Sequence, residues 1–494
     1  MWLAFVLLYS WPALWNGGPF FFPDSSHYIR AADAAMVSLA DTPSDWSDRL
    51  VVSHHPAPPA GEPASAAASP PEIRSTRTVL TGRSIYYGAL LYAGLQLFGK
   101  YGPVFLQAGL AVTAIWLFLF GAAASQEPRR RARWIAGGLL AVGLLSPLPF
   151  FVSRLMPDAF TGLLAIAVVS LLLFRDRYGR AGRFFLLLLA AAAITFHTSH
   201  ILVTVAIGAG ALLLNLARKE RWIRLVALPA GLILFAAIAQ IAFSVAVTRT
   251  LGAPPISPPF MSARLIADGP GYRYLRAHCG DKPFALCDYL NRMPRGSDIL
   301  LWSENPRDGV FSTVPDPVKR VLGSEDKRFY LAVLREQPLE VLGSIVRSTA
   351  AQAGAFDLDH FNYVADHRQG ARQHLPPRVF AWVERSAAYR GTMPVTPTIA
   401  LTIAATAISL LLLAAACLSP AWRREWRSPA AAAAILLILA VAANIAICGA
   451  LSTPHARYLM RIIWLLPLAV AALGAAGLVP HKTQSPLSPE TARP

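Results

Sequence analysis

Long apolar runs that alternate with short arginine-rich loops are the feature that most constrains this chain. Of its 494 residues, 55% are hydrophobic and only 15% are charged, whereas a soluble protein carries about 25% charged residues. A helix needs about 20 apolar residues to cross the hydrocarbon core of a bilayer. The sequence therefore predicts an all-α polytopic membrane protein with about ten transmembrane helices.

The predicted spans alternate in direction because the multiply basic short loops mark the cytoplasmic side. They cover residues 1–15, 103–124, 134–152, 159–174, 184–196, 201–216, 225–247, 396–418, 430–451 and 459–478. A crossing at 84–98 would put the first loop in the cytoplasm, so we interpret that stretch as a helix on the outer surface.

This topology predicts four regions. Residues 1–248 form a transmembrane module that includes an extracytoplasmic loop, 17–102, with surface helices, one of them expected over 29–50. Residues 249–395 form a mainly helical extracytoplasmic domain, 396–478 the C-terminal transmembrane helices, and 479–494 a cytoplasmic tail.

The excess of basic over acidic residues does not indicate nucleic-acid binding. The net charge of +17 comes from residues clustered between apolar runs, and the aromatic residues lie within those runs, unlike the pattern of nucleic-acid modules. No CxxC or HExxH spacing occurs, so we expect no structural zinc site. Cys279 and Cys287 flank a short turn in a polar region, which favours a disulfide in an oxidising compartment over two reduced thiols.

Asp24 is the first candidate catalytic residue. It follows the first apolar segment and the interfacial aromatic run 20–22, and it precedes the hydrogen-bonding residues His27 and Tyr28. A carboxylate at the membrane surface is suited to accept a proton. The alternative is that Asp24 caps a surface helix, since Asp is favoured at that position.

The predicted outer turns collect further ionisable residues, namely His27, Arg83, Arg154, Asp158, His197, His200, His455, Arg457 and Arg461. Such groups near membrane depth are costly and tend to be functional. All these turns face one side, so we expect them to line one cavity where carboxylates accept a proton and cations hold a phosphate. Alternatives remain open: a local Arg154–Asp158 pair, hydrogen-bonded interfacial histidines at 197 and 200, and arginines that snorkel.

Short motifs add a family resemblance. Pro23-Asp24 after the first helix, Arg83-Ser84-Ile85-Tyr86-Tyr87, Leu97-Phe98-Gly99, Met156-Pro157-Asp158 and Arg457-Tyr458 resemble motifs of the GT-C superfamily of polyprenyl-phosphate-sugar-dependent glycosyltransferases. The resemblance covers residues 1 to about 200 and the last span. It implies a GT-C-like fold in which Asp24 is the catalytic base and Arg83 and Arg457 lie near the donor phosphate. Ser25 replaces the glutamate of many relatives, and the prolines that follow the basic residue are absent.

The sequence thus predicts an inverting glycosyltransferase of the cell inner membrane, with its catalytic face extracytoplasmic. The donor would be a polyprenyl-phosphate-linked sugar in the membrane lipid, and the acceptor a glycan, lipid or protein. We expect Asp24 and Asp158 to be catalytic. The residues expected to bind substrate are His27, Tyr28, Arg83, Tyr87, Arg154, His197, His200, His455 and Arg457. A divalent cation that accompanies the donor is left open.

Two other functions are compatible with the sequence. An O-antigen polymerase or ligase would rely on the large outer segment, where Arg264, Arg276 and His278 lie. A transporter or non-catalytic membrane protein ranks last, because transporters carry their polar residues near the midplane, whereas here they lie at the ends of the predicted helices.

Overall fold

The computed structural model describes residues 1–41, 44–47, 79–218 and 222–478. Across these ranges the regular structure is helical, and the extended contacts are two isolated β-bridges, Phe20 with Arg154 and Leu80 with Ile256. The predicted cytoplasmic tail, 479–494, lies outside the described residues, as does most of the first loop between 48 and 78.

The first half of the chain forms eleven helices. They are α1 (Trp2–Tyr9), α2 (Trp11–Asn16), α3 (Ser25–Ala40), α4 (Ile85–Phe98), α5 (Gly102–Ala122), α6 (Pro128–Leu145), α7 (Leu148–Ser153), α8 (Ala159–Leu173), α9 (Arg180–Phe196), α10 (Ser199–Arg218) and α11 (Trp222–Leu251).

Among the described residues, eight α-helices follow in the polar segment, and five more in the C-terminal part. The polar segment contains α12 (Phe260–Asp268), α13 (Pro270–His278), α14 (Ser297–Trp302), α15 (Asp316–Glu336), α16 (Pro338–Ala353), α17 (Ala365–His374), α18 (Pro377–Glu384) and α19 (Ala387–Arg390). The C-terminal part contains α20 (Val395–Leu418), α21 (Pro420–Glu425), α22 (Pro429–Leu451), α23 (Ala456–Met460) and α24 (Leu465–Ala475).

Six stretches of the described chain are long and apolar enough to cross a membrane. They are α4 with α5, α10, α11, α20, α22, and α23 with α24. Helices also occupy the other predicted spans, but α1, α8 and α9 are shorter than this length and α6 begins with a run of arginines. The chain is therefore an all-α, membrane-embedded protein, and its ten spans remain a prediction.

The first loop folds back over the bundle through close backbone contacts. The predicted surface helix begins earlier than expected, at Ser25, and ends at Ala40; residues 48–50 of the predicted range are not described. Where α3 crosses α4, a Cβ on Gly88 would lie only 2.1 Å from the backbone oxygen of Tyr28. Gly99 then adopts a positive φ of 64°, which lets the chain turn from α4 into α5.

The described polar segment contributes to two hydrophobic cores. Residues between 256 and 345 form a core of their own, which includes Phe284, Phe311 and Phe329. Residues between 356 and 395 instead pack into the core of the helix bundle. Cys279 and Cys287 form a disulfide in the first of these regions, as the sequence predicts, and both cysteines are partly buried against its core.

Candidate functional site

Asp24 occupies the position before α3, but its side chain does not cap that helix. Instead, Nε and Nη2 of Arg83 both donate to Oδ1 of Asp24, at 3.0 and 2.7 Å. The helix-cap interpretation is therefore wrong, because the carboxylate is bound by a cation 59 residues away. The Asp24 side chain stays 27% exposed, so a reacting group can reach it.

Electrostatics keep Asp24 ionised. Burial acts to raise its pKa, but the positive charges of Arg83, Arg457 and, to a smaller extent, His27 outweigh burial and hold the pKa below its usual value. At neutral pH the group is therefore a carboxylate, which is the form that accepts a proton.

Asp158 lies in a second, deeper ion pair. Nη1 of Arg461 donates to Oδ1 of Asp158 at 3.2 Å, and both side chains are at most 4% exposed. The same guanidinium donates to Oδ1 of Asn444 from Nη2 at 2.8 Å. Arg154, the partner that i,i+4 spacing suggests, is farther from Asp158, with 4.0 Å between its Nη1 and Oδ2. Asp158 is thus part of a buried network that joins α8, α22 and the last span.

Replacing Arg461 by Met tests whether this network holds the helices together. The substitution leaves Asp158 buried without its closest cation, and breaking a buried pair costs about 3–5 kcal/mol. We expect a clear fall in the thermal unfolding temperature of the detergent-solubilised protein. The surface pair Arg378–Asp45, whose side chains are 82% and 48% exposed, provides the control, because Arg378→Met should change stability by less than about 1 kcal/mol. Equal melting of the two variants would show that the buried pair does not stabilise the fold.

Arg154 is held by aromatic rings rather than by a close carboxylate. Its guanidinium carbon lies 3.9 Å from the ring centroid of Phe361 and 5.3 Å from that of Phe22. Burial lowers the pKa of Arg154 to about 10, against the opposing effect of Asp158, so the side chain remains charged at neutral pH. Its Nη1 atom is buried and has no hydrogen-bond partner in the described structure.

Arg457 forms no hydrogen-bonded ion pair within the described residues. Its guanidinium lies over the rings of Phe22, at 4.7 Å, and Tyr458, at 4.8 Å, and its Nη2 donates to the Tyr458 hydroxyl at 2.9 Å. The positive charge of Arg457 acts to lower the pKa of both Asp24 and Asp158. Each of these carboxylates nevertheless has another arginine as its hydrogen-bonded partner. Nη1 of Arg457 is buried and unpaired within the described residues.

The four arginines at 83, 154, 457 and 461 surround two carboxylates, so this cluster carries a surplus of two positive charges. Arg154 and Arg457 both lie over the ring of Phe22, so this ring links two members of the cluster. Uncompensated buried cations are costly and are typical of an anion-binding site. A phosphate group matches the planar donor arrays of arginine.

The predicted tyrosines pack on each other next to this cluster. Tyr28 and Tyr87 are buried and meet edge to face, with their ring centroids 5.2 Å apart. The Tyr87 hydroxyl donates to Gln107 at 3.0 Å. Both tyrosines lie within electrostatic range of Asp158, and Tyr28 also lies within range of Asp24.

The predicted histidines divide into two groups. Both ring nitrogens of His200 are already hydrogen-bonded inside the bundle, to Thr161 at 2.9 Å and to the Ala193 carbonyl at 2.6 Å, as the interfacial interpretation expects. His197 accepts a hydrogen bond from the Ser199 backbone amide, and burial lowers its pKa to about 4, so it is neutral at physiological pH. The other two face outward: His27 is exposed, and Nε2 of His455 lies 2.9 Å from Asp298.

Sequence reasoning missed the contributions of the polar segment. Trp302 lies against Arg83, with 5.3 Å from the guanidinium carbon to the ring centroid. Phe361 lies against Arg154, and Asp298 against His455. No motif surrounds these residues, so only their contacts identify them.

The residues of the polymerase or ligase alternative have other partners. Arg264 forms an ion pair with Asp268 at 2.9 Å and contacts Ser348. His278 lies 3.3 Å from Glu336, and Arg276 is exposed. These contacts are separate from the Asp24–Arg83 pair, although Arg264 and Arg457 both act electrostatically on Asp298.

A cavity of about 390 Å³ lies elsewhere, between the ends of α5, α21, α22 and α24. Arg177, Arg424 and Glu425 contribute to its lining, and these residues belong to the loops that we predict to be cytoplasmic. Within the described ranges no three His, Cys, Asp or Glu side chains form a group that could hold a metal ion.

Comparison of the chain with protein-family models, curated proteins and solved structures found no match.

Proposed function

We propose that the chain is a membrane glycosyltransferase that moves a sugar from a polyprenyl-phosphate carrier to an acceptor at the extracytoplasmic face. The observation that carries the proposal is the arrangement of Asp24, Arg83 and Arg457: a partly exposed carboxylate bound to one arginine and near a second whose Nη1 is buried and unpaired. A proton acceptor beside cations suits substitution at a carbon linked to phosphate.

In this mechanism an acceptor hydroxyl attacks the anomeric carbon of the donor sugar. The bond between that carbon and the phosphate oxygen breaks, and the electron pair leaves with the phosphate. Asp24 takes the proton of the attacking hydroxyl. Attack from the face opposite the departing phosphate inverts the configuration at the carbon.

The arginines stabilise the charge that builds up on the leaving group. Arg457 offers the buried Nη1 donors, and Arg83 has donors beyond the two that bind Asp24. Preorganised donors of this kind are worth about 10²–10³ in rate each. Asp158 is buried and bound to Arg461, so its proposed role is to balance charge and position the cations.

The orientation is part of the proposal. The cluster lies with the turns that are opposite the arginine-rich loops, and the positive-inside rule assigns those loops to the cytoplasm. In a bacterial cell the cluster would then face the periplasm from the inner membrane, where a polyprenyl carrier reaches it by diffusion in the bilayer.

The test is transfer in membranes from polyprenyl phosphates that carry radiolabelled sugars, followed as a function of pH. The reaction needs ionised Asp24, so its rate falls as the pH drops through the pKa of that group. Because Arg83 lowers this pKa, Arg83→Gln should move the acidic limb of kcat to higher pH as well as weaken donor binding. An acidic limb at the same pH in both proteins would remove Asp24 from the base role.

A further inference from the structure

An aromatic pair borders the Asp24–Arg83 ion pair. Trp302, the last residue of α14, is 37% exposed and packs its ring on the Arg83 guanidinium. Phe311 is buried and supports this ring edge to face, with the two ring centroids 6.4 Å apart. The mechanism above assigns no role to the exposed ring of Trp302.

Phe260 extends the aromatic surface. It is 41% exposed, and its ring centroid lies 6.1 Å from that of Trp302. Its Cζ atom would lie 4.0 Å from a Cβ added to Gly82, the residue before Arg83. The two rings therefore flank the turn that delivers Arg83 to Asp24.

The surroundings of this pair are hydrophilic. Glu304, Asn305 and Arg307 follow Trp302 closely and are all exposed, so polar and charged groups lie next to the rings. On the neighbouring rim the His27 and His374 rings are 6.2 Å apart. Burial lowers the pKa of His374, and the negative charge of Glu304 opposes that shift, which places the carboxylate within electrostatic range of the imidazole.

We propose that Trp302 and Phe260 form the acceptor subsite and that the acceptor is a carbohydrate. A pyranose ring presents an apolar C–H face, which stacks on an aromatic ring, and a rim of hydroxyls, which bind carboxylates and imidazoles. The aromatic pair and the polar rim of Glu304 and His374 match these two surfaces, as binding sites combine apolar walls with a few polar groups. Stacking there would bring one hydroxyl to Asp24. This inference rests on the proposed function.

Steady-state kinetics distinguish two roles for Trp302 and Phe260: binding of the acceptor, or only the positioning of Arg83. Phe260→Ala should raise the apparent KM for the acceptor about fivefold and leave the KM for the donor unchanged, since an aromatic contact contributes an effect of this order. Trp302→Ala should have at least the same effect, and Trp302→Phe should recover most of the affinity. Trp382→Phe, in α18, is the matched control and should change neither constant.

Other outcomes overturn the inference. An unchanged acceptor KM in Phe260→Ala would remove the subsite, and this variant retains both the Trp302–Arg83 contact and the Asp24–Arg83 pair. A rise in the donor KM alone in Trp302→Ala would show that the ring only positions Arg83.

The acceptor class is tested with three fractions from envelopes of a strain that lacks the gene: released glycan, extracted lipid without sugar, and protein without sugar. Label in the glycan fraction is expected. Label only in the lipid or the protein fraction would overturn the carbohydrate subsite and keep the transferase. No transfer to any fraction, with the full panel of donors, would contradict the proposed function itself.

Discussion

Replacing Asp24 with Asn should reduce transfer at least about a hundredfold, because a positioned general base contributes about 10²–10⁴ in rate. The amide is close to the carboxylate in shape but cannot accept the proton of the attacking hydroxyl. The protein should still fold, since Asn keeps the shape of the side chain and the Asp24–Arg83 pair is not fully buried, with 27% and 20% of the side chains exposed. Initial rates of sugar transfer in membranes, normalised to the amount of protein, measure the effect.

The control for this experiment is Asp45→Asn. Asp45 lies in the same loop and also faces an arginine, Arg378, at 3.4 Å, but its side chain is 48% exposed and away from the arginine cluster. It should keep full activity. If the Asp24→Asn variant transferred sugar at the normal rate, Asp24 would not be the base and the mechanism would fail. A thermal melt of the same preparation checks that the variant is folded.

Much of the helical framework could be predicted from the sequence, because length and hydropathy determine where apolar helices form. Each predicted span coincides with a helix or a pair of helices. Such patterns do not fix how many helices cross the membrane, since α8 and α9 have only 15 and 17 residues and packing against neighbours can bury short helices. Short-range patterns also could not show that Asp24 binds Arg83 rather than its own helix.

The site itself was predictable only in part. The outer turns suggested that Asp24, Arg83, Asp158 and Arg457 converge, and in the structure Arg457 lies within electrostatic range of both Asp24 and Asp158, while Arg83 acts on Asp24. The polar segment gave no such signal. Trp302 is far from Arg83 in sequence, and no spacing rule connects residues that meet only when separate regions pack together. The residues of the polar segment are identified by their ring stacking and burial, which depend on the whole fold.

Arg457→Gln should separate function from stability more sharply than any other substitution. We expect transfer to fall by about 10²–10³, since the proposed mechanism makes Arg457 a donor to the departing phosphate. The thermal unfolding temperature should fall less than in Arg461→Gln, because the buried Nη1 of Arg457 without a partner is a cost to the unliganded fold, and this cost offsets the loss of the positive charge that acts on Asp158. Parallel measurements of transfer rate and melting temperature in detergent would show the two effects.

Arg461, one helical turn further on, provides the comparison. It donates to Asp158 and Asn444, so Arg461→Gln should lower stability more than Arg457→Gln does. Two arginines four residues apart would then differ in their effect on folding, because Arg461 is hydrogen-bonded to a carboxylate within the protein, whereas Arg457 interacts with Asp158 only at longer range. A large loss of stability in the Arg457→Gln variant with unchanged transfer would identify Arg457 as structural and remove the phosphate site.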